Sequence, residues 1–373
     1  MHAFVKKQTP SGDSTRGLGL LLLLLVLSPL AGRTQDAFSH FIGVTNFTGF
    51  IAAPNPDGSL VWLSPVVNTE AQWNELIVSW NADAPAGTWL QIEARAFYSG
   101  RQTRFYVMGR WNRDNLPFPR ASVPGQQDAD GAVQVDTLVL NQLAGNVQIR
   151  LTLDGPTNLM PRLKFLGLAF CNTNLTPPIL APNRAAWGRD ISTPERSQKS
   201  YPGGSGWCSP TSLSMVLSRW GRVTGRPEWQ LDAPETAAGV FDHGFYHPTG
   251  NWPFNTAFAG SLPGMRAYVT RFSDISELED WIAAGIPVII SARYDLLQDG
   301  RPPDLNGHLT VCRGFTETGD VVINDPWTDP KVESIRHIYK RANVIRAWAT
   351  SHNTVYLVFP ENTVLPMDRF GHW

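Results

Sequence analysis

The sequence predicts an α+β protein in which an antiparallel β-sandwich domain, residues 36–170, precedes a mixed domain, residues 197–373. Three observations lead there. Residues 38–170 alternate apolar and polar side chains in short runs separated by Pro, Gly, Asn and Asp. Helical spacing is clearest after residue 200, where Leu213, Val216, Leu217 and Trp220 fall on one face. With 373 residues, the chain is long enough to bury two sizeable cores.

Ahead of the first domain stand Lys6, Lys7 and Arg16, an apolar run from Leu20 to Leu27, and the small residues around Ala31-Gly32. This reads as a secretory signal peptide over residues 1–35, so a secreted, extracellular or periplasmic protein is expected. The run falls short of the roughly 18 apolar residues of a spanning helix, and no later segment qualifies, so no stable membrane insertion is expected after leader removal. Formal net charge is -1, from 31 Lys+Arg against 32 Asp+Glu, which recommends neither a nucleic-acid partner nor an anionic membrane surface.

In the first domain, Leu90, Ile92, Ala94 and Ala96 alternate with Gln91, Glu93 and Arg95, and Val147, Ile149, Leu151 and Leu153 alternate with Gln148, Arg150 and Thr152. Segments 77–80, 104–111, 133–140 and 163–170 repeat the pattern. Trp73, Trp80, Trp89, Tyr106 and Trp111 read first as strand packing, with a carbohydrate-stacking surface as the alternative. Residues 171–196, rich in Pro, Asn and Thr, read as a linker.

The second domain opens on Cys208, just ahead of a helix starting near Pro210 and expected to end at Gly221. Free N–H groups and the positive dipole end favour thiolate there, although a buried core cysteine fits the position equally well. The chain holds three cysteines, so at least one is unpaired within the monomer; a Cys171–Cys312 bridge would leave Cys208 free. Residues 225–262 read as a loop, with Tyr246, Trp252 and Phe254 as a candidate cleft wall. Asp242, His243 and His247 have metal-like spacing, but Pro248 and the glycines argue against the helix that would join the histidines, so no metal is expected. Ser276 and Glu279 suggest a capping box before Leu278, Trp281 and Ile282. Residues 306–315 and 320–327 then form a β-hairpin, with His308 opening its first strand and Asp325 closing its second.

Cysteine, histidine and carboxylate together are what thiol catalysis requires: a nucleophile, a base that later acts as acid, and a group that orients the base. A two-residue turn at Thr318-Gly319 would place Asp325 opposite Cys312 rather than near His308, so the pairing requires a longer loop or a bulge.

Gln198, Cys208, Gly307-His308 and Asn324-Asp325-Pro326, in that order, resemble the pattern of the C39-like group of papain-fold cysteine peptidases. The whole exported chain is similar to bacterial members with a β-rich N-terminal region, through SWNADAP, GRW, SVPGQ, WCSPTSLSMVL, GNWPFNTAFA, NGHL and NDP. The resemblance implies Cys208 as nucleophile, His308 as general base and acid, Asp325 as orienting residue, and Gln198 as a donor to the oxyanion. Trp207, Trp252 and Asn306 are the candidate substrate contacts. Ser209 stands where many members have glycine, and the chain lacks the spanning helices and phosphate-binding loop of exporter-linked members, so their leader-peptide substrate does not transfer. The expected partner is a peptide or protein substrate, with cell-wall material as a second candidate, and no cofactor is implied. The alternatives are a wall- or glycan-binding protein with an idle peptidase-like domain, and a transamidase using the same three residues.

Overall fold

The computed structural model describes residues 37–55, 57–156 and 159–373, so the expected leader, residues 1–35, lies outside the described residues. The described residues cluster as one compact unit. Among the described residues, strand pairing is antiparallel throughout the two sheets.

The first sheet contains β1 (Ser39–Val44), β2 (Ile51–Pro54), β3 (Leu60–Leu63), β4 (Val67–Asp83), β5 (Trp89–Tyr98), β6 (Arg101–Gln102), β7 (Tyr106–Trp111), β8 (Gly131–Gln134), β9 (Thr137–Asp154) and β10 (Arg162–Cys171). Its main path runs β1-β10-β4-β9-β3-β2. The long β9 also pairs with β5 and β8, and irregular register against β4 between Asn68 and Glu75 breaks the ladder. Trp73, Trp80, Tyr106 and Trp111 are buried in its core, which takes them out of reach of a glycan. Trp89 is half-buried and donates to Asp154 at 2.9 Å.

The second region contains α1 (Cys208–Thr224), α2 (Ala233–Val240), α3 (Trp252–Ser261), β11 (Met265–Arg271), α4 (Ile275–Ala283), β12 (Val288–Arg293), β13 (Gly307–Phe315), β14 (Val321–Asn324), β15 (Arg336–Tyr339), α5 (Arg341–Ala349) and β16 (Thr354–Pro360). Its sheet order is β11-β16-β12-β13-β14-β15.

Local chemistry shifts several expected boundaries. Helix α1 runs past Gly221 to Gly225, whose φ of 68° supplies the left-handed cap. Helix α4 is capped by Asp274, which accepts from Ser276 N–H at 2.7 Å, instead of by Ser276. The expected loop 225–262 contains α2 and α3. Helix α3 begins at Asn251, whose side chain accepts from Phe254 N–H at 3.0 Å, and has Pro253 in its first turn. Nearly every side chain of α3 is buried, so it lacks the polar face that makes a helix visible in a sequence.

That burial arises between the two sheets. Phe254 packs edge-on against Trp80 and Trp111, with ring centroids 5.9 and 5.5 Å away, within the first sheet's core. In the other direction, Phe41, Ile77, Phe165 and Ala169 belong to the core of the second region, with Phe41 stacked on Tyr268 at 4.7 Å. Asn81 on β4 pairs with the backbone of Ala267 on β11, donating to its carbonyl at 2.6 Å and accepting from its N–H at 3.1 Å. Gly260 permits this approach, because a Cβ there would stand 2.1 Å from Asn81 Nδ2.

The stretch 171–196 lies along the second region. Trp187 Nε1 donates to Glu279 at 2.7 Å, Ile191 N–H donates to Arg313 O at 2.8 Å, and Ala186 and Ile191 enter the core. All three cysteines are free thiols, so the Cys171–Cys312 bridge is not formed: Cys171 ends β10 in one sheet and Cys312 lies within β13 of the other. No described helix is long and apolar enough to cross a membrane.

Candidate active site

Cys208 is the first residue of α1, and Trp207 at the N-cap offers no side-chain acceptor, so the helix's first N–H groups remain available. The first turn is fixed to the sheet beneath it. Ser209 shares a hydrogen bond with the Tyr356 hydroxyl at 2.9 Å, and Ser212 donates to Leu309 O at 3.0 Å, one residue from His308. These contacts set the cysteine against the start of β13.

His308 is buried, and its Nε2 lies 2.7 Å from Asp325 Oδ1. That leaves Nδ1 for the Cys208 thiol, with which the imidazole also interacts. Asp325 is held in turn by Tyr339, whose hydroxyl donates to Oδ2 at 2.7 Å, and by Trp327 N–H at 2.9 Å to Oδ1. The hairpin solves the register problem with a five-residue connection, 316–320, and an irregularity at Arg313, between the pairs Cys312↔Ile323 and Gly314↔Val322. Asp325 therefore follows the Val311↔Asn324 pair and lies diagonal to His308 instead of opposite Cys312.

The electrostatics follow from this packing. Burial disfavours a charged Cys208, but the His308 hydrogen bond and charge, with the N–H groups of Leu309 and Ser209, outweigh it and lower the thiol pKa below 9.0. At His308, burial opposes the imidazolium, while Asp325 and the cysteine hold the pKa above 6.5. Burial would raise Asp325, yet His308, Tyr339 and the Trp327 N–H keep it below the usual carboxylate range. A thiolate beside an imidazolium is the arrangement these shifts favour.

Gln198 is buried, and its backbone N–H donates to Pro326 O at 2.9 Å, next to Asp325. Its Nε2 donates to Gly204 O at 3.0 Å, while Oε1 has no partner among the described residues. Gln198, Trp207, Cys208, Trp252, Asn306 and His308 all line one cavity of about 940 Å³, and Asp325, the remaining candidate from the sequence, lies behind His308 outside the lining. Tyr246 joins them, highly exposed at the rim, whereas Phe254 lies in the core and not on the cleft wall. Asp242 is committed to Ser122 N–H, Gly244 N–H and Asn251 Nδ2 at 2.8, 2.8 and 2.9 Å.

Sequence reasoning missed three groups. Tyr339 carries no motif that would mark it as Asp325's partner. Tyr294 places its ring 5.0 Å from the imidazole, edge-on. Glu75, Gln134, Asp136 and Thr137 of the first sheet, with Arg271 and His352, form part of the same cavity. The one available signal was Asp136, a carboxylate within the apolar run VQVDTLVL.

Residues 191–356 match the Peptidase_C39 like family, and residues 59–171 match the Peptidase C39 N-terminal domain. No curated protein matches the chain. Among solved structures, a family two carbohydrate esterase from Cellvibrio japonicus shares 12% identity over 41% of this chain and 42% of its own, at a TM-score of 0.18. A family 89 glycoside hydrolase from Clostridium perfringens, CpGH89, shares 15% over 52% and 21%, also at 0.18. The chain thus spans less than half the length of these structures, and superpositions this poor carry no argument about fold or function.

Proposed function

We propose, taking as premise that the chain is a C39-like peptidase with that family's N-terminal domain, that it is a secreted cysteine peptidase hydrolysing peptide bonds through Cys208, His308 and Asp325. The observation that carries this reading is His308, held at Nε2 by Asp325 and turned by its other face to a thiol at a helix start. The catalytic region is read as papain-like and the first sheet as a sandwich. The N-terminal run of residues 1–35 is read as the export signal.

In this mechanism His308 holds the thiol proton, and the Cys208 sulfur attacks the scissile carbonyl carbon. The carbonyl π electrons move to oxygen, where the second N–H of Gln198 Nε2 and the backbone N–H at Cys208 receive the negative charge. Collapse breaks the C–N bond, the leaving amine takes the proton from His308, and a thioester remains on Cys208. Water then gives a proton to His308 and attacks the thioester. Collapse releases the acid, and the sulfur regains its proton partner. Asp325 fixes the tautomer and the ring orientation throughout.

The test is iodoacetamide labelling of the full chain across pH, read by mass spectrometry of the Cys208 peptide, in wild type, Cys208→Ala and His308→Ala. Rapid labelling of Cys208 well below pH 8, slowed in His308→Ala, is expected. Labelling typical of an ordinary thiol in both wild type and His308→Ala would sink the catalytic reading.

A further inference from the structure

The cavity holding Cys208 is walled on one side by the N-terminal region, through the tip of the β8–β9 hairpin. Gln134 pairs with Thr137, so Val135 and Asp136 alone make the turn. Val135 has a φ of 61°, a left-handed conformation costly for a β-branched residue, and one that two-residue hairpins ordinarily assign to Gly, Asn or Asp. Strain of this kind persists where the surroundings over-determine it, commonly at functional sites.

Asp136 is what anchors the turn. Its Oδ2 accepts the Trp252 N–H at 2.8 Å, so a residue of the first sheet caps the start of α3, and its Oδ1 accepts the Thr137 hydroxyl at 3.1 Å. Burial raises its pKa to about 6, with those hydrogen bonds and the more distant Arg271 acting in the opposite direction. At neutral pH it is therefore mostly a carboxylate, and it has no salt-bridge partner among the described residues.

The other charges lining the cavity do not compensate. Arg271 is taken up by Glu75 at 2.6 Å, and His352 Nδ1 approaches the same carboxylate at 3.2 Å. Asp304 lies in the lining beside Asn306, whose N–H it accepts at 2.9 Å. Cys208 and His308 share one proton and together add no net charge. Lys199 lies over the Trp327 ring at 4.4 Å and is not part of the lining. Three carboxylates thus face one guanidinium in the wall.

We propose that Asp136 is a specificity residue of the cleft, receiving an ammonium or guanidinium group of the substrate, so that the N-terminal region selects cationic peptides for a nucleophile carried by the other region. This rests on the peptidase reading. A carboxylate already desolvated and held by the fold needs little reorganisation to meet a cation, whereas an anionic substrate would meet uncompensated negative charge.

The test measures modification of Cys208 by two methanethiosulfonates, the trimethylammonioethyl and the uncharged methyl reagent, in the full chain, Asp136→Asn and Asp136→Glu. Asn keeps an acceptor for Trp252 N–H and removes the charge; Glu keeps the charge. The cationic-to-neutral rate ratio is expected to exceed that of free cysteine in wild type, to fall about tenfold in Asp136→Asn, and to persist in Asp136→Glu. A ratio equal in wild type and Asp136→Asn, or lost in both variants, overturns the proposal. Failure of the peptidase reading looks different: the neutral reagent would then react with wild-type Cys208 no faster than with an ordinary thiol.

Discussion

The first turn of α1 and the middle of β13 each enclose a thiol, and they drive it in opposite directions. Cys312 faces apolar neighbours, and its contact with Gly314 O at 3.9 Å is weak, so burial raises its pKa. Burial acts on Cys208 too, but there an imidazole and two backbone N–H groups offset it and the pKa falls. Cys171, buried at the end of β10, behaves like Cys312 and is pushed up to about 11. Enclosure alone therefore makes an inert cysteine; the helix start and the histidine make the difference.

The largest blow to that contrast is His308→Ala. Without the imidazole only the N–H groups oppose desolvation, so the Cys208 pKa should rise and alkylation at pH 6.5 should fall by about 100-fold or more. Retention of wild-type rates would mean that the helix start suffices. Asp325→Asn should act less, about tenfold on the same rate, since the amide still orients the ring but no longer stabilises its charge. Its pH profile sharpens the test. Thiolate and imidazolium coexist above the depressed thiol pKa and below the raised imidazole pKa, so losing the carboxylate should bring the alkaline limb of the proposed peptidase activity to lower pH.

Smaller effects come from the periphery. Tyr339→Phe removes one hydroxyl donor from Asp325 and should cost about 1 kcal/mol in urea-monitored stability, with a change of only a few-fold in Cys208 labelling. At the other thiol, Cys312→Ala should leave Cys208 labelling at the wild-type rate and lower stability by about 1 kcal/mol through the small cavity it opens. A rate change in that variant would show that the two thiol environments are coupled through β13.

What could be read from the sequence was what lies in short local signals. Cys208 before a helical face, Gly307-His308 opening a strand and Asn324-Asp325-Pro326 closing another each occupy a few adjacent residues; the first two line the cavity, and the third reaches it through the Asp325–His308 hydrogen bond. Their register was not legible, because it depends on an irregularity at Arg313 that no turn residue announces. Helix α3 escaped notice for a related reason: periodicity requires a wet face, and Phe254 and Ala257 point into one core while Ala259 points into the other. The part played by Asp136 depends on a contact with Trp252, 116 residues away, and only the folded chain brings the two together.

Asn81 also bears on how this protein can be handled after synthesis. Strand β11 is the outer strand of its sheet, and the side chains of Asn81 and Ser79 occupy the backbone groups of Ala267 and Val269 that would otherwise face outward. Proteolytic trimming of the N-terminal region would uncover that edge together with Phe254 and Tyr268, leaving a strand ready to recruit another chain. Loss of the N-terminal region would therefore leave an aggregation-prone fragment, so that region acts as a permanent cover for the second sheet's edge.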